Sequence, residues 1–403
     1  MDDYADCCTL CAATGDCVYF THNQYDEWGN NIATCYLKTA CNSLAYCGSD
    51  CVTGQPASSD DYDAEAPTPS PVVRNDDWDD DQECVNGIAV GSLQITQDGI
   101  AHTYYALQSG ANDGTAQASG TEIRLQHGPR VFLASACSST FSPDIFQAFD
   151  LRGKTLGFTV DVSSVSCGCN AALYAVHMPA YDSSNSPTST SSGDYYCDAS
   201  AVSGVYCPEM DIMEANTGVL QSTAHSCTLS SGNYYSYCDS AGTGNSTRDV
   251  GSDNYQEGSS TGIDSSQEFQ VLISFFTDEQ LLSPGAGSAG TSSASSSNGN
   301  VSLVETVLTQ PSTGAELVLE NADSAYLSAM SLESMVLTFS HWGDSASNMA
   351  WLDNPPCSME ENCDTSGEVI WSDFHLRSAE AAAEKRRRRR RRARRPRRGG
   401  HEP

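Results

Sequence analysis

Three carboxylates lie close together in the segment Glu209-Met-Asp-Ile-Met-Glu214. Successive side chains of a β-strand point to opposite faces, so Glu209 and Asp211 are expected on one face and Met210 and Ile212 on the core-facing side. Glu214 is five positions from Glu209 and would face the other way on a regular strand. It can join the other two acids only if a β-bulge between Asp211 and Glu214 shifts the register by one residue.

Such a cluster could cleave a glycosidic bond with retention of configuration. That reaction needs a nucleophilic carboxylate and a protonated acid roughly 5–5.5 Å apart, and adjacent carboxylates raise one another's pKa. Asp211, between the two glutamates, could share a proton with Glu209 and orient it, and Glu214 would be the acid and later the base. The spacing alone also fits an acidic solvated face or a Ca²⁺ site.

The elements that would position these acids are short strands. From about Arg74 to Arg377, short alternating apolar segments are separated by Gly, Ser, Asn and Asp, which favours an all-β sandwich. Residues 156–162 are one example, with Phe158, Val160 and Val162 on a single face. Ala171 to Met178 and Met335 to Trp342 are further predicted strands.

Cysteines, prolines and arginines divide the chain into four predicted regions. Residues 1–53 hold eight of the 18 cysteines and form a disulfide-rich module; residues 54–73 are a Pro/Asp-rich linker. Residues 74–378 form the main domain, whose ten cysteines are expected to pair as disulfides and to bind no metal. Residues 379–403 are an Arg-rich tail, expected to be disordered by self-repulsion and without a part in catalysis. The tail could bind anionic glycans, nucleic acid or the acidic body, or serve as a nuclear address, although no nucleic-acid partner is expected.

The charge distribution indicates what the main domain can bind. The formal net charge is -32, although 12 of the 20 basic residues lie between Lys385 and Arg398. The strongly acidic body argues against nucleic acid or an anionic polysaccharide and favours a neutral ligand.

The cysteine content predicts an oxidising, extracellular destination. The first residues, Met1-Asp-Asp-Tyr, lack the basic and apolar regions of a signal peptide, and we find no apolar run of the roughly 18 residues that a membrane span needs. We therefore expect a secreted protein whose natural start lies upstream, with no membrane partner.

Three segments resemble glycoside hydrolase family 7, the fungal-type cellobiohydrolases and endoglucanases. Glu209-Met-Asp-Ile-Met-Glu-Ala-Asn216, with His225-Ser-Cys227 after it, is similar to the family's E-M-D-x-W-E-A-N and P-H-P-C. Upstream, Phe158 to Tyr174 resembles F-x-x-D-V-S-x-L-P-C-G-L-N-G-A-L-Y. Downstream, Met335 to Asp353 resembles M-V-L-V-M-S-L-W-D-D-Y-Y-A-N-M-L-W-L-D. The three segments occur in the family's order and span roughly residues 84 to 378.

This resemblance implies a concanavalin-like jelly-roll β-sandwich of two curved antiparallel sheets and a retaining β-1,4-glucanase that needs no cofactor. It makes Glu209 the nucleophile, Asp211 its assistant and Glu214 the acid/base. The matching substrate-cleft residues are Asn170, Tyr174, Asp198, His225 and Trp342. Tyr174 could instead be a core residue and His225 a structural hydrogen-bonding residue; we interpret Trp351 as structural.

Three substitutions and two shortened segments distinguish this chain from the family pattern. Met213 replaces the signature tryptophan, and Gly343 replaces the aspartate after Trp342. Ser200 stands where a glutamine follows the family's Y-C-D motif. The chain is also shorter between Asp182 and Cys207 and between Cys227 and Gln267, where processive members carry the loops that roof a tunnel. An open cleft and endo-acting cleavage of a cellulose-like β-glucan are therefore expected.

The N-terminal cysteine pattern, Cys7 to Phe20 with Cys35-Tyr-Leu-Lys38, resembles a PAN or apple domain. That resemblance implies that residues 1–53 bind a cell-wall glycan or a protein, the alternative being a disulfide spacer. We expect a monomer. Two rival functions remain at this point: a β-1,3 or mixed-linkage glucanase of the family 16 type, and a catalytically impaired glycan-binding protein.

Overall fold

The computed structural model describes residues 19–25, 31–38, 51–54, 84–109, 114–282 and 299–393. The chain separates into two compact units, Met1–Asp81 and Gln82–Pro403. Most of the expected linker, residues 55–73, lies outside the described residues, as do most cysteines of the expected N-terminal module. None of the described helices is long and apolar enough to cross a membrane.

The first unit contains a small antiparallel sheet. Its three strands are β1 (Tyr19–Tyr25), β2 (Asn31–Lys38) and β3 (Cys51–Gly54), in the order β2-β1-β3.

The second unit is built almost entirely from strands. They are β4 (Val85–Asn86), β5 (Ala89–Gln97), β6 (Ile100–Gln108), β7 (Ala116–Ser119), β8 (Glu122–Gln126), β9 (Arg130–Ala134), β10 (Ala148–Phe149), β11 (Lys154–Asp161), β12 (Cys169–Val176), β13 (Glu209–Ala215), β14 (Leu220–His225), β15 (Cys227–Ser231), β16 (Tyr234–Cys238), β17 (Thr243–Ser246), β18 (Tyr255–Gln256), β19 (Ile263–Asp264), β20 (Phe269–Thr277), β21 (Val301–Gln310), β22 (Ala315–Asn321), β23 (Met335–Gly343) and β24 (Glu368–Ser378).

Four short helices and two 3₁₀ turns accompany the strands. The helices are α1 (Asp278–Leu282), α2 (Ser324–Ser328), α3 (Ala350–Asp353) and α4 (Glu380–Ala393), and the turns are Thr247–Val250 and Ser252–Asn254.

Strand pairing arranges the second unit as two layers. The layer that carries the site runs β5-β6-β9-β23-β12-β13-β14-β17, antiparallel throughout. The other runs β7-β8-β24-β11-β20-β21-β22, also antiparallel. Parallel contacts from β5 to β24 and β7 join the layers at one edge. The expected all-β jelly-roll sandwich is confirmed.

The core lies between these two layers. Phe158, Val160 and Val162 all enter it, as the alternation in residues 156–162 predicts, and Leu337 and Phe339 enter it from β23. Both other predicted strands are also present, as β12 and β23. Burying these branched and aromatic side chains on one face of each strand stabilises the sandwich and leaves the opposite face of β12, β13 and β23 free for polar groups.

The expected disorder of residues 379–403 is wrong for residues 380–393, which form α4. Ala379 and Ala383 pack against Phe276 and Leu303, so the helix starts on an apolar contact. Its basic residues face carboxylates of β21 and β22 at Glu305, Glu316 and Glu320. The acidic body was one of the partners expected for this tail, but the sequence did not show that these three carboxylates would line up along a helix. Residues 394–403 lie outside the described residues.

Candidate active site

The three acids of β13 are brought together by a bulge. On β14, Thr223 pairs with Asp211 and Gln221 pairs with Glu214, so three steps along β13 match two along β14. The extra residue shifts the alternation by one, as the sequence predicts between Asp211 and Glu214. Ser222 Oγ supports the bulge by donating to the Asp211 carbonyl at 2.9 Å.

All three carboxylates line one cleft of about 1180 Å³. The cleft is formed mainly by β12, β13, β14 and β17, with loops before β13 and after β23. Its lining residues include Arg130, Tyr174, Tyr196, Asp198, Ser200, Glu209, Asp211, Glu214, Gln221, His225, Arg248, Trp342 and Trp351. The sequence-predicted residues Tyr174, Asp198, His225 and Trp342 therefore share a single cavity with the acids. Asn170, the remaining one, reaches the site through Glu214.

Asp211 and His225 form a tight pair at the centre of this cleft. The ring Nε2 of His225 lies 2.8 Å from Asp211 Oδ2, and Nδ1 lies 2.8 Å from the backbone oxygen of Asp239. A carbonyl oxygen only accepts, so Nδ1 must carry a hydrogen. One further proton then lies between Nε2 and Asp211, on either the ring or the carboxyl. The histidine contacts the middle acid, whereas the family resemblance places it near the acid/base.

Glu209 and Glu214 differ in what holds them. Glu209 Oε2 accepts a hydrogen bond of 2.9 Å from the backbone N–H of Ala199. The two oxygens of Glu214 accept from two side-chain amides, Asn170 Nδ2 at 2.9 Å and Gln221 Nε2 at 3.3 Å. Asn170 was predicted as a cleft residue; Gln221 was not.

Burial shifts all three acids towards their protonated forms. It raises the pKa of Glu209 well above its usual range, with Asp211 and Asp198 adding repulsion. Burial, with Asp198, also raises the pKa of Asp211. The pKa of Glu214 rises to about 8 through burial and the nearby Asp211, although Asn170 and Gln221 act in the opposite direction. Since the groups interact, the cluster retains protons near neutral pH as a unit.

Tyr174 belongs to a second polar group in the same cleft. Its hydroxyl lies 3.2 Å from that of Tyr196, and the guanidinium carbon of Arg130 lies 3.7 Å from the centre of the Tyr196 ring. Burial raises the pKa of both phenols, so they stay neutral hydrogen-bonding groups. Asp198 is held nearby, accepting from the backbone N–H of Val202 at 3.0 Å. Tyr174 thus packs in a buried cluster and also lines the cleft.

Two tryptophans form an exposed aromatic surface on the cleft wall. Trp342 is 40% exposed and Trp351 44% exposed, and their rings stack with centroids 6.2 Å apart. The strand alternation that places Leu337 in the core correctly places Trp342 on the opposite face. Our interpretation of Trp351 as a structural residue is wrong. It lies on α3, where strand parity gives no information about the direction of a side chain.

Met213, which stands where the family has a tryptophan, is a core residue. Met213 is fully buried in the main core together with Met210 and Ile212. It pairs across to Leu173 of β12 in the ladder beside the bulge. The residue that replaces the family tryptophan therefore supports β13 from behind while Glu214 faces the cleft.

A buried polar contact joins the three family-like segments. Asp353 is fully buried and accepts from the backbone N–H of Gly168 at 2.7 Å and from Asn216 Nδ2 at 2.6 Å. Asn216 Nδ2 also donates to the Cys169 carbonyl at 3.1 Å. The upstream segment supplies Gly168 and Cys169, and each of the other two segments supplies one partner. The contact fixes where β12 begins, where β13 ends and where α3 lies.

Five disulfides secure the loops around the site. They are Cys84–Cys137, Cys167–Cys357, Cys169–Cys363, Cys197–Cys207 and Cys227–Cys238, which use all ten cysteines of the main domain as expected. Cys197–Cys207 closes the loop that carries Asp198 and Ala199 immediately before β13. Across the described part of the chain, no group of three or more His, Cys, Asp or Glu residues is arranged to hold a metal ion.

Known proteins share this sequence pattern and fold. The pattern of glycosyl hydrolase family 7 matches residues 75–205, ending four residues before Glu209. Endoglucanase EG-1 of Hypocrea jecorina is 28% identical over 301 residues, covering 69% of this chain and 59% of that protein. Endo-beta-1,4-glucanase celB of Aspergillus oryzae is 26% identical over 287 residues, covering 62% and 67%.

Solved structures show the same fold. An endoglucanase I complexed with cellobiose superposes with a TM-score of 0.54 at 18% identity, covering 74% of this chain and 98% of that one. A family 7 cellobiohydrolase from Daphnia pulex gives 0.53 at 17% identity, covering 73% and 98%. The chain spans 59% of the length of the EG-1 sequence it matches.

The main domain is a jelly-roll β-sandwich with three carboxylates along one cleft, and solved glycoside hydrolases share its fold. The main domain is similar to glycosyl hydrolase family 7 in sequence pattern over residues 75–205 and has the fold of the solved family 7 structures.

Proposed function

We propose that this chain is a retaining endo-β-1,4-glucanase that hydrolyses cellulose or a related β-glucan by double displacement. The observation that carries the proposal is the bulge in β13, which gives Glu209, Asp211 and Glu214 a common cleft. Support for the substrate class comes from relatives named endoglucanases and from the exposed pair Trp342 and Trp351, since flat aromatic rings suit the apolar faces of a neutral sugar.

In the first step, Glu209 must be ionised, and its carboxylate attacks the anomeric carbon while the bond from that carbon to the leaving oxygen breaks. Glu214 gives its proton to that oxygen, so the leaving sugar departs as a neutral alcohol and a glycosyl ester forms on Glu209. The raised pKa of Glu214, about 8, supports its role as the acid near neutral pH.

In the second step, Glu214 is ionised and takes a proton from water as the water attacks the anomeric carbon. The ester bond breaks, Glu209 leaves as a carboxylate and Glu214 is protonated again. The backbone N–H of Ala199 stabilises the carboxylate that forms on Glu209. The proton between Asp211 and His225 allows Asp211 to reduce or increase the negative charge beside Glu209.

The internal mode of cleavage rests on the shortened segments of the chain. Residues 182–207 and 227–267 are shorter than the family's tunnel-forming loops, which favours an open cleft that accepts a chain at any point along its length. We also propose secretion, because five disulfides fit an oxidising extracellular compartment. Binding of a wall glycan by residues 1–53 stays a proposal.

The test is release of reducing ends from carboxymethyl cellulose, lichenan and laminarin by the secreted protein and by Glu209→Gln. We expect cleavage of carboxymethyl cellulose and lichenan with a rapid fall in viscosity, and no turnover by the variant. Cleavage of laminarin alone would indicate the β-1,3 glucanase. Binding to insoluble cellulose without cleavage by either protein would indicate a glycan-binding protein. Either of these two results would overturn the proposal.

A further inference from the structure

Gln221 connects the acid/base Glu214 to Arg248, which follows the adjacent strand β17. It lies directly opposite Glu214 in the ladder between β13 and β14. Its Nε2 donates to Glu214 Oε2 at 3.3 Å, and its Oε1 accepts from Arg248 Nη2 at 3.2 Å. Glutamine, glutamate and arginine therefore form a continuous row along the cleft wall.

Arg248 is itself held in place by acceptors on several elements. Its Nη1 donates to the backbone oxygen of Asn354 at 3.1 Å and its Nη2 to that of Trp351 at 3.0 Å. Its Nε donates to Ser246 Oγ at 3.1 Å. Ser246 ends β17 and pairs with Gln221 of β14, so the arginine and the glutamine are positioned by adjacent strands.

The chemistry of arginine decides which way the Gln221 amide points. A guanidinium only donates, so the side of the amide that faces Arg248 must be its oxygen. The NH₂ group is then directed to Glu214, where it favours the charged carboxylate. Together with Asn170 Nδ2 on Oε1, it gives each oxygen of Glu214 one N–H donor.

We infer that Gln221 is a positioning residue for the acid/base Glu214, with Arg248 fixing the direction of the Gln221 amide. The inference rests on the proposed function for the role of Glu214. The two amides fix the orientation of the Glu214 carboxyl plane. The proton that passes to the leaving oxygen is therefore held on a lone pair that neither amide uses. Their hydrogen bonds also oppose the effect of burial on the pKa of Glu214. Glu214 can therefore still ionise when it must act as the base.

The first test is the pH profile of kcat/KM on an aryl cellobioside. Gln221→Met keeps the side-chain length but removes the donor, and we expect the alkaline limb to move up by about 0.5–1 pH unit. Gln221→Glu places a second negative charge beside Glu214 and should move the alkaline limb to still higher pH. Gln117→Met, at an exposed glutamine of β7, should leave the profile unchanged. A uniform loss of activity with an unmoved limb in both Gln221 variants would show a merely structural role and overturn the inference.

The second test does not depend on turnover. Protein labelled with ¹³C at the glutamate carboxyls is titrated, and the Glu214 signal is identified by its loss in Glu214→Gln. The inference predicts the same upward shift of the Glu214 midpoint in Gln221→Met, and an unchanged midpoint would overturn it. An inactive wild-type protein would refute the proposed function, while this titration would still decide the role of Gln221.

Discussion

His225 Nε2 and Asp211 Oδ2 lie 2.8 Å apart, and because the other ring nitrogen faces a carbonyl, a single proton is shared between them. In the proposed mechanism, this proton would lie on the ring when the Asp211 carboxyl must be charged and on the carboxyl when Glu209 is ionised. The pair would then adjust the charge next to Glu209 without exchanging a proton with solvent.

Replacing the middle acid tests this arrangement. Asp211→Asn keeps the shape but removes the shared proton, so we expect kcat on an aryl cellobioside to fall by about 10²-fold or more. Asp144→Asn, at an exposed aspartate before β10, should keep wild-type kcat. Steady-state kinetics measure both, and full activity in Asp211→Asn would contradict the role given to the pair.

Small anions can distinguish the roles of the two glutamates. In Glu209→Ala, azide should attack an activated glycosyl fluoride directly and yield a product of inverted configuration. In Glu214→Ala, azide should instead replace water in the second step and yield a product of retained configuration. Proton NMR of the glycosyl azides reads out the configuration. The opposite pattern would exchange the two roles.

The buried acids should make stability depend on pH. The folded-state pKa of Glu214, about 8, exceeds its unfolded value, so this group favours the folded state fully at low pH. That contribution is lost as pH rises from about 4.3 to about 8. We expect Glu214→Gln to raise Tm by several degrees at pH 8 and little at pH 4.

Thermal unfolding followed by circular dichroism at both pH values checks this expectation. Glu268→Gln is the matched control, because Glu268 is exposed. A Glu214→Gln variant with the same pH dependence as wild type would show that Glu214 titrates normally.

The C-terminal helix offers a separate prediction about stability. Arg386 is 8% exposed and pairs with the 2% exposed Glu305 at 3.1 Å, so Arg386→Met leaves a buried carboxylate with one arginine fewer. We expect a loss of about 2–4 kcal/mol in unfolding free energy. Arg388→Met removes a pair on the exposed side of α4 and should cost less than about 0.5 kcal/mol. Urea titration measures both, and equal losses would contradict the docking of α4.

Much of the site could be predicted because a strand has a period of two. The alternation of side chains along a strand places Glu209 and Asp211 on one face and Trp342 on the face opposite Leu337. It also requires a bulge if Glu214 is to join the other two acids. The same rule is silent for Trp351, which lies on a helix, and for Gln221, whose partner is on another strand. Only the register between β13 and β14 brings Gln221 to Glu214.

The C-terminal helix shows a second limit of the sequence. A run of arginines repels itself when it is considered locally, and the carboxylates that neutralise it, such as Glu305 and Glu316, lie about 70 or more positions earlier in the chain. Pairings over that distance are set by the stacking of β21 and β22. For residues 380–393 the expected disorder was wrong because the neutralising carboxylates are not local in the sequence.

Two of the disulfides also determine what happens to this protein when its chain is cut. Cys167–Cys357 and Cys169–Cys363 span 190 and 194 residues and join the start of β12 to the segment after α3. Protease cleavage at any loop between Cys169 and Cys357 leaves the two fragments covalently connected beside the cleft. A nicked molecule would run as two bands only after reduction, and Asn170 and Trp342 would stay on paired strands.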